Sequence, residues 1–108
     1  MMEIDVFDNR IKLLAIASQQ IRDLSQELNA ISVSTNSSTA FSTTFTILLK
    51  KGKWSMDDVE IMVEIDFNRT HGISIYGSNV KIYKQLVVTE ENISNLGAIV
   101  NKELKKKG

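Results

Sequence analysis

Apolar residues recur at two distinct periods along this chain, and each period predicts a different element. Phe7, Ile11, Leu14, Ala17, Ile21, Leu24, Leu28 and Ile31 follow steps of three and four. Lys12, Gln19, Gln20, Arg22, Asp23, Gln26 and Glu27 fall mostly between them. That spacing puts one apolar stripe along a long amphipathic helix. Asp5 or Asp8 suits its start, since a carboxylate accepts bonds from the free N–H groups there. Asn29 is the predicted stop. The stripe serves either as half of a core or, where it overhangs, as a surface for a second copy or a partner; Ser18 and Ser25 interrupt a strict coiled-coil seam.

From Phe41 the period changes to two. Phe41, Thr43, Phe45, Ile47 and Leu49 share one face of a strand. The Ser/Thr-rich stretch before it, from Ser32, reads as a connector or as a short edge strand begun by Ile31 and Val33. Lys50-Lys51-Gly52-Lys53 is a turn, with Gly52 free to take positive φ. The clearest alternation follows: Val59, Ile61, Val63, Ile65 and Phe67 on one face, Glu60, Met62, Glu64 and Asp66 on the other. Ile73, Ile75 and Tyr76 form a third strand. Val80 to Val88 forms a fourth, with Lys84 out of step with its apolar neighbours. Short turns at residues 68–72 and 77–79 join these runs into an antiparallel meander.

Thr89 precedes a closing helix, with Glu90 and Glu91 in its first turn and Ile93, Leu96, Val100 and Leu104 on its apolar face. Gly97 within it marks a close backbone crossing. The predicted fold is therefore α+β, in the order α-β-β-β-β-α. An antiparallel meander of about four strands carries the long N-terminal helix and the shorter C-terminal helix on one face. At 108 residues the chain reads as one domain, 1–108.

Charge and chemistry narrow the function. Lys plus Arg equal Asp plus Glu at 13 each, which argues against a dedicated nucleic-acid coating protein and against a wholly acidic mimic. There is no cysteine and a single histidine, His71, so thiolate catalysis and cysteine-based zinc sites are excluded. His71 sits in a Thr-His-Gly turn and reads as solvated. No glycine-rich phosphate loop is present. The acidic beginning of the chain is unlike a signal peptide and no apolar run is long enough to span a bilayer, so the expected location is cytoplasmic, without membrane contact.

The acidic strand face remains. Glu60, Glu64 and Asp66 share this face, and adjacent same-face positions lie about 7 Å apart, within reach of paired acid–base work or magnesium binding, but an open strand face supplies no cleft to tune them. Pairing with Lys50, Lys53, Lys81 and Lys84 is their plain explanation. The functional one is a docking face with Met62, Trp54 and Tyr76 as apolar anchors. A second candidate surface gathers Lys50, Lys51, Lys53, Lys81, Tyr83 and Lys84, basic residues with an aromatic ring for single-stranded nucleic acid. The expected function is a small non-enzymatic interaction protein that docks onto another macromolecule, most readily a protein. Inhibitors, adaptors and accessory proteins of mobile elements are built on this scale. Single-stranded nucleic-acid binding is the alternative. No cofactor or metal is implied, and a homodimer is a candidate assembly through the first helix or an unpaired sheet edge.

Overall fold

A computed structural model describes residues 2–39, 41–52 and 56–106, with side chains described from residue 9 onward except Ser38. Helix α1 covers Met2–Glu27. It begins upstream of Asp5 and Asp8, so neither is its cap. Its other end matches the expectation: Asn29 takes φ 54°, its N–H donates to Gln26 O at 3.2 Å, and the Ala30 N–H reaches Ser25 O at 2.9 Å. This is a left-handed helix stop with asparagine in the place usually held by glycine.

Five strands follow: β1 (Ser32–Thr39), β2 (Ser42–Leu49), β3 (Val59–Asp66), β4 (Ile73–Ser78) and β5 (Tyr83–Leu86). They form one antiparallel sheet in chain order. The Ser/Thr-rich stretch is thus a full strand, one more than the four expected. Its β-branched threonines and Val33 fit a pleated surface even where nothing covers them. The last strand is shorter than residues 80–88. The Ile82 N–H turns back to Val80 O at 3.1 Å, and beyond Leu86 the Val88 N–H leaves the ladder for Thr70 O at 3.0 Å.

The closing helix is two helices, α2 (Glu90–Ser94) and α3 (Leu96–Lys105). Thr89 Oγ1 caps α2 as expected, accepting the Asn92 N–H at 3.1 Å. Asn95, at φ −108° and ψ 13°, breaks the helical path between them.

One core holds these layers together. Phe45, Ile47, Leu49, Val59, Ile61, Val63, Ile65, Ile73 and Ile75 come from one face of the sheet, and Ala17, Ile21, Leu24, Ile93, Leu96, Val100 and Leu104 come from the helices. Leu14 is only half-buried and Ile11 is 52% exposed, because the helix turns those positions toward its flank. The buried stripe runs instead through Leu13, Ile16, Ala17, Ile21 and Leu24. α1 contacts β1, β2, α2 and α3. All three helices therefore lie on the same side of the sheet, and none covers the other side.

Candidate functional site: the open face of the sheet

Strand register sets what the uncovered face displays. Ser34 pairs with Thr46, Thr46 with Met62, Met62 with Tyr76, and Tyr76 with Tyr83. These five residues make one row across all five strands, polar at the β1 end and apolar or aromatic at the β5 end. Met62 and Tyr76 are half-buried, and Tyr83 is 69% exposed. Neighbouring same-side residues along a strand lie about 7 Å apart, so Glu60 and Glu64 stand immediately beside this row, and Asp66 lies one same-face step beyond Glu64. Glu64 occupies the next row, between Thr44 and Ser74, with Asn36 and Gln85 at its ends. Glu60 lies on the other side, between Leu48 and Ser78, and Asp66 is opposite Ser42.

The three acids therefore share a face as the alternation predicts, but the lysines expected to pair with them stand elsewhere. Cross-strand partners of Glu60, Glu64 and Asp66 are serines, a threonine and a leucine. Lys84 pairs with Ile75, which puts it on the helix side of the sheet. Lys50 follows β2, Lys51 is in the turn after it, and Lys81 lies in the connection before β5. Asp66 Oδ1 instead accepts the Asn68 N–H at 2.9 Å, fixing the turn after β3. Among the described residues, no three His, Asp or Glu side chains come together as a metal would require.

The same register divides the proposed basic surface. Tyr83 belongs to the acidic, aromatic face, whereas Lys84, one residue on, points to the opposite side. Lys53 and Trp54 lie outside the described residues. Thus the structure brings together Glu60, Met62, Glu64, Asp66 and Tyr76 and adds Tyr83 to them; it does not gather Lys50, Lys51, Lys81, Lys84 and Tyr83 on one face.

The addition of Tyr83 has a signal in the sequence. A tight turn centred between Asn79 and Val80 sets Tyr76 directly opposite Tyr83. Asn79 takes φ 65° there, and its side-chain amide donates to Asp58 O at 2.8 Å. Gly77 is required for the turn: a Cβ on it would lie 2.6 Å from Val80 Cγ1.

Next to the end of β3, a cleft of about 540 Å³ opens between α1, the turn after β3 and the segment after β5. Leu13, Phe41, Phe67 and Val88 are among its walls, with Arg10 and Arg69 also contributing. The Arg10 guanidinium lies 4.7 Å from the centre of the Phe41 ring, a cation–π contact that ties α1 to the start of β2. Among the described residues, no helix is long and apolar enough to cross a membrane. Comparison with protein-family models, with curated proteins and with solved structures finds no match for this chain.

Proposed function

We propose that this chain is a non-enzymatic interaction protein, an inhibitor, adaptor or accessory subunit, that docks another protein on the open face of its sheet. The observation that carries this reading is the row Met62–Tyr76–Tyr83 on the side that no helix covers, with Tyr83 exposed, Met62 and Tyr76 half-buried, Glu60 and Glu64 on either side and Asp66 one step beyond. A solvated sheet face ordinarily alternates with plain polar residues. Here a thioether and two phenol rings stand in register, the side-chain types that anchor protein interfaces.

The surrounding charge selects the partner. Three carboxylates without lysine neighbours across the strands favour a surface rich in Lys or Arg, which would be steered in and oriented by them. The same carboxylates repel a phosphate backbone, which weighs against single-stranded nucleic acid as the ligand of Tyr76 and Tyr83. The rings also offer their faces to the partner's guanidinium or ammonium groups.

Affinity capture from cell lysate, with and without nuclease, tests this class of function. A protein retained after nuclease treatment supports it. Loss of all captured material on nuclease treatment would transfer the protein to the nucleic-acid alternative.

A further inference from the structure

The two edges of the sheet are built differently. β5 spans only Tyr83–Leu86, carries Lys84 and is preceded by Lys81, so it is short and charged. Those are the devices by which a sheet edge resists pairing. β1 has neither. It is eight residues long, Ser-Val-Ser-Thr-Asn-Ser-Ser-Thr, with no charge and no proline. One bulge, between Ser37 and Thr39, leaves a regular run over Ser32–Ser37. Every side chain from Ile31 to Ser37 is exposed.

Three further observations lie beside this edge. On the helix side of β1, Val33 is 38% exposed and the preceding Ile31 is 53% exposed. Ile11 lies on the flank of α1 turned away from α3, which meets α1 at Gln20 on the opposite flank. No Asp, Glu, Lys or Arg occurs from Leu28 to Leu49. The whole first hairpin is therefore electrically neutral in a chain where nearly a quarter of residues are charged (24%).

We propose that β1 is a homodimer interface, pairing antiparallel with β1 of a second copy about a two-fold axis so that one sheet runs through both molecules. Neutrality is what points to a second copy. Near a two-fold axis each side chain meets its own counterpart, so a charged residue would face its like and weaken the pairing. A partner of different sequence imposes no such restriction and would be selected by complementary charge. Pairing in this way closes the unguarded edge of each copy and leaves only the charged β5 edges outside. An axis perpendicular to the sheet puts both α1 helices on one side of the junction. Val33 and Ile31 then border the junction on the helix side of the sheet. The open faces of the two sheets become continuous on the other side. This inference stands independently of what docks there.

Sedimentation equilibrium on the full chain, from low micromolar concentration upward, tests the proposal. A concentration-dependent dimer is expected; a monomer throughout would overturn it. The double variant Ser34→Lys/Asn36→Lys places like charges along the edge at exposed positions. It should raise the dimer dissociation constant by about tenfold or more while circular dichroism stays unchanged. An unchanged constant would overturn the β1 assignment. Single-cysteine variants at Val33, Ser34, Thr35, Asn36 and Ser37, made in a chain that has no cysteine, give a second readout. Mild oxidation should link at least one of them to its own copy, since residues near the axis come within disulfide reach. The control Ser94→Cys, at the exposed end of α2, should stay unlinked. Cross-linking no better along β1 than at residue 94 would contradict the pairing.

Discussion

The side chain of Gln20 caps a helix that begins far along the chain: its Oε1 accepts the Gly97 N–H at 2.9 Å. Asn95, the residue before α3, makes no side-chain cap of its own, so α1 supplies the acceptor that the start of α3 lacks. The approach is close. A Cβ on residue 97 would stand 3.1 Å from Gln20 Oε1 and 3.3 Å from Gln20 O. Replacing Gln20 with Ala should cost about 1–2 kcal/mol, because a part-buried donor loses its partner. Gly97→Ala should gain little or nothing despite the ~1 kcal/mol that alanine usually adds to a helix, because the new methyl pushes α3 from α1. Urea melts of the two variants measure both effects.

Glycine at position 72 is a stricter requirement. The Asp66 N–H donates to Gly72 O at 2.9 Å, closing the turn between β3 and β4. A Cβ on residue 72 would collide with Asp66 O and lie 2.8 Å from Arg69 O. Both are backbone atoms and cannot swing aside. Gly72→Ala is expected to lower the melting temperature far more than Gly52→Ala. At Gly52 the space is open and only the φ of 115° is strained, a cost of roughly 1 kcal/mol. Thermal unfolding of the two variants side by side gives the order.

The phase of the acidic strand has a thermodynamic signature. Ile65 is fully buried, so Ile65→Ala should cost about 2–5 kcal/mol. Leu14 is half-buried on the α1 flank, and Leu14→Ala should cost about 1 kcal/mol. Equal losses in chemical denaturation would show that the two positions contribute alike to the core.

Much of this architecture is legible in the chain, and the exceptions share a cause. Val59, Ile61, Val63 and Ile65 alternate so strictly that only one pleat buries them, and the structure follows it. Thr89-Glu90-Glu91 marks a helix start by local hydrogen bonding alone. β1 is harder to read because its serines carry no periodic contrast between faces: its side chains are exposed from Ser32 to Ser37, so no hydrophobic pattern forms. Its strand character comes from its β-branched residues and from pairing with β2 across the hairpin, neither of which leaves an apolar alternation in the sequence. The stripe on α1 departs from its expected line for a related reason. Ile11 and Leu14 keep the helical spacing, but α3 packs against the Gln20–Leu24 side and shifts the buried centre toward Leu13 and Ile16. For the candidate site, alternation alone puts the acids together. The company of Tyr83 depends on the register across the Asn79 turn.

Charge on the open face should matter to association more than to folding. The triple variant Glu60→Gln/Glu64→Gln/Asp66→Asn should unfold within about 1 kcal/mol of wild type, since Glu60 is exposed, Glu64 and Asp66 are only half-buried, and charges that stay in contact with water contribute little to stability. The amide that replaces the Asp66 carboxylate retains an oxygen for the Asn68 N–H. Binding to a basic partner should weaken, and its dependence on salt should flatten. Titrations at two ionic strengths separate this outcome from a purely solvated acidic face, which would leave both affinity and salt slope unchanged.

The docking face itself is tested most directly by quantitative affinity capture with the wild-type chain and the variant Met62→Ala/Tyr83→Ala in parallel, after nuclease treatment. Both positions lie on the uncovered side of the sheet, and the variant is expected to keep the wild-type circular dichroism spectrum. One or more proteins held by the wild type should fall by about tenfold or more on the variant, as expected when interface anchors are truncated. Equal recovery of the same proteins on both chains would contradict a docking role for this face.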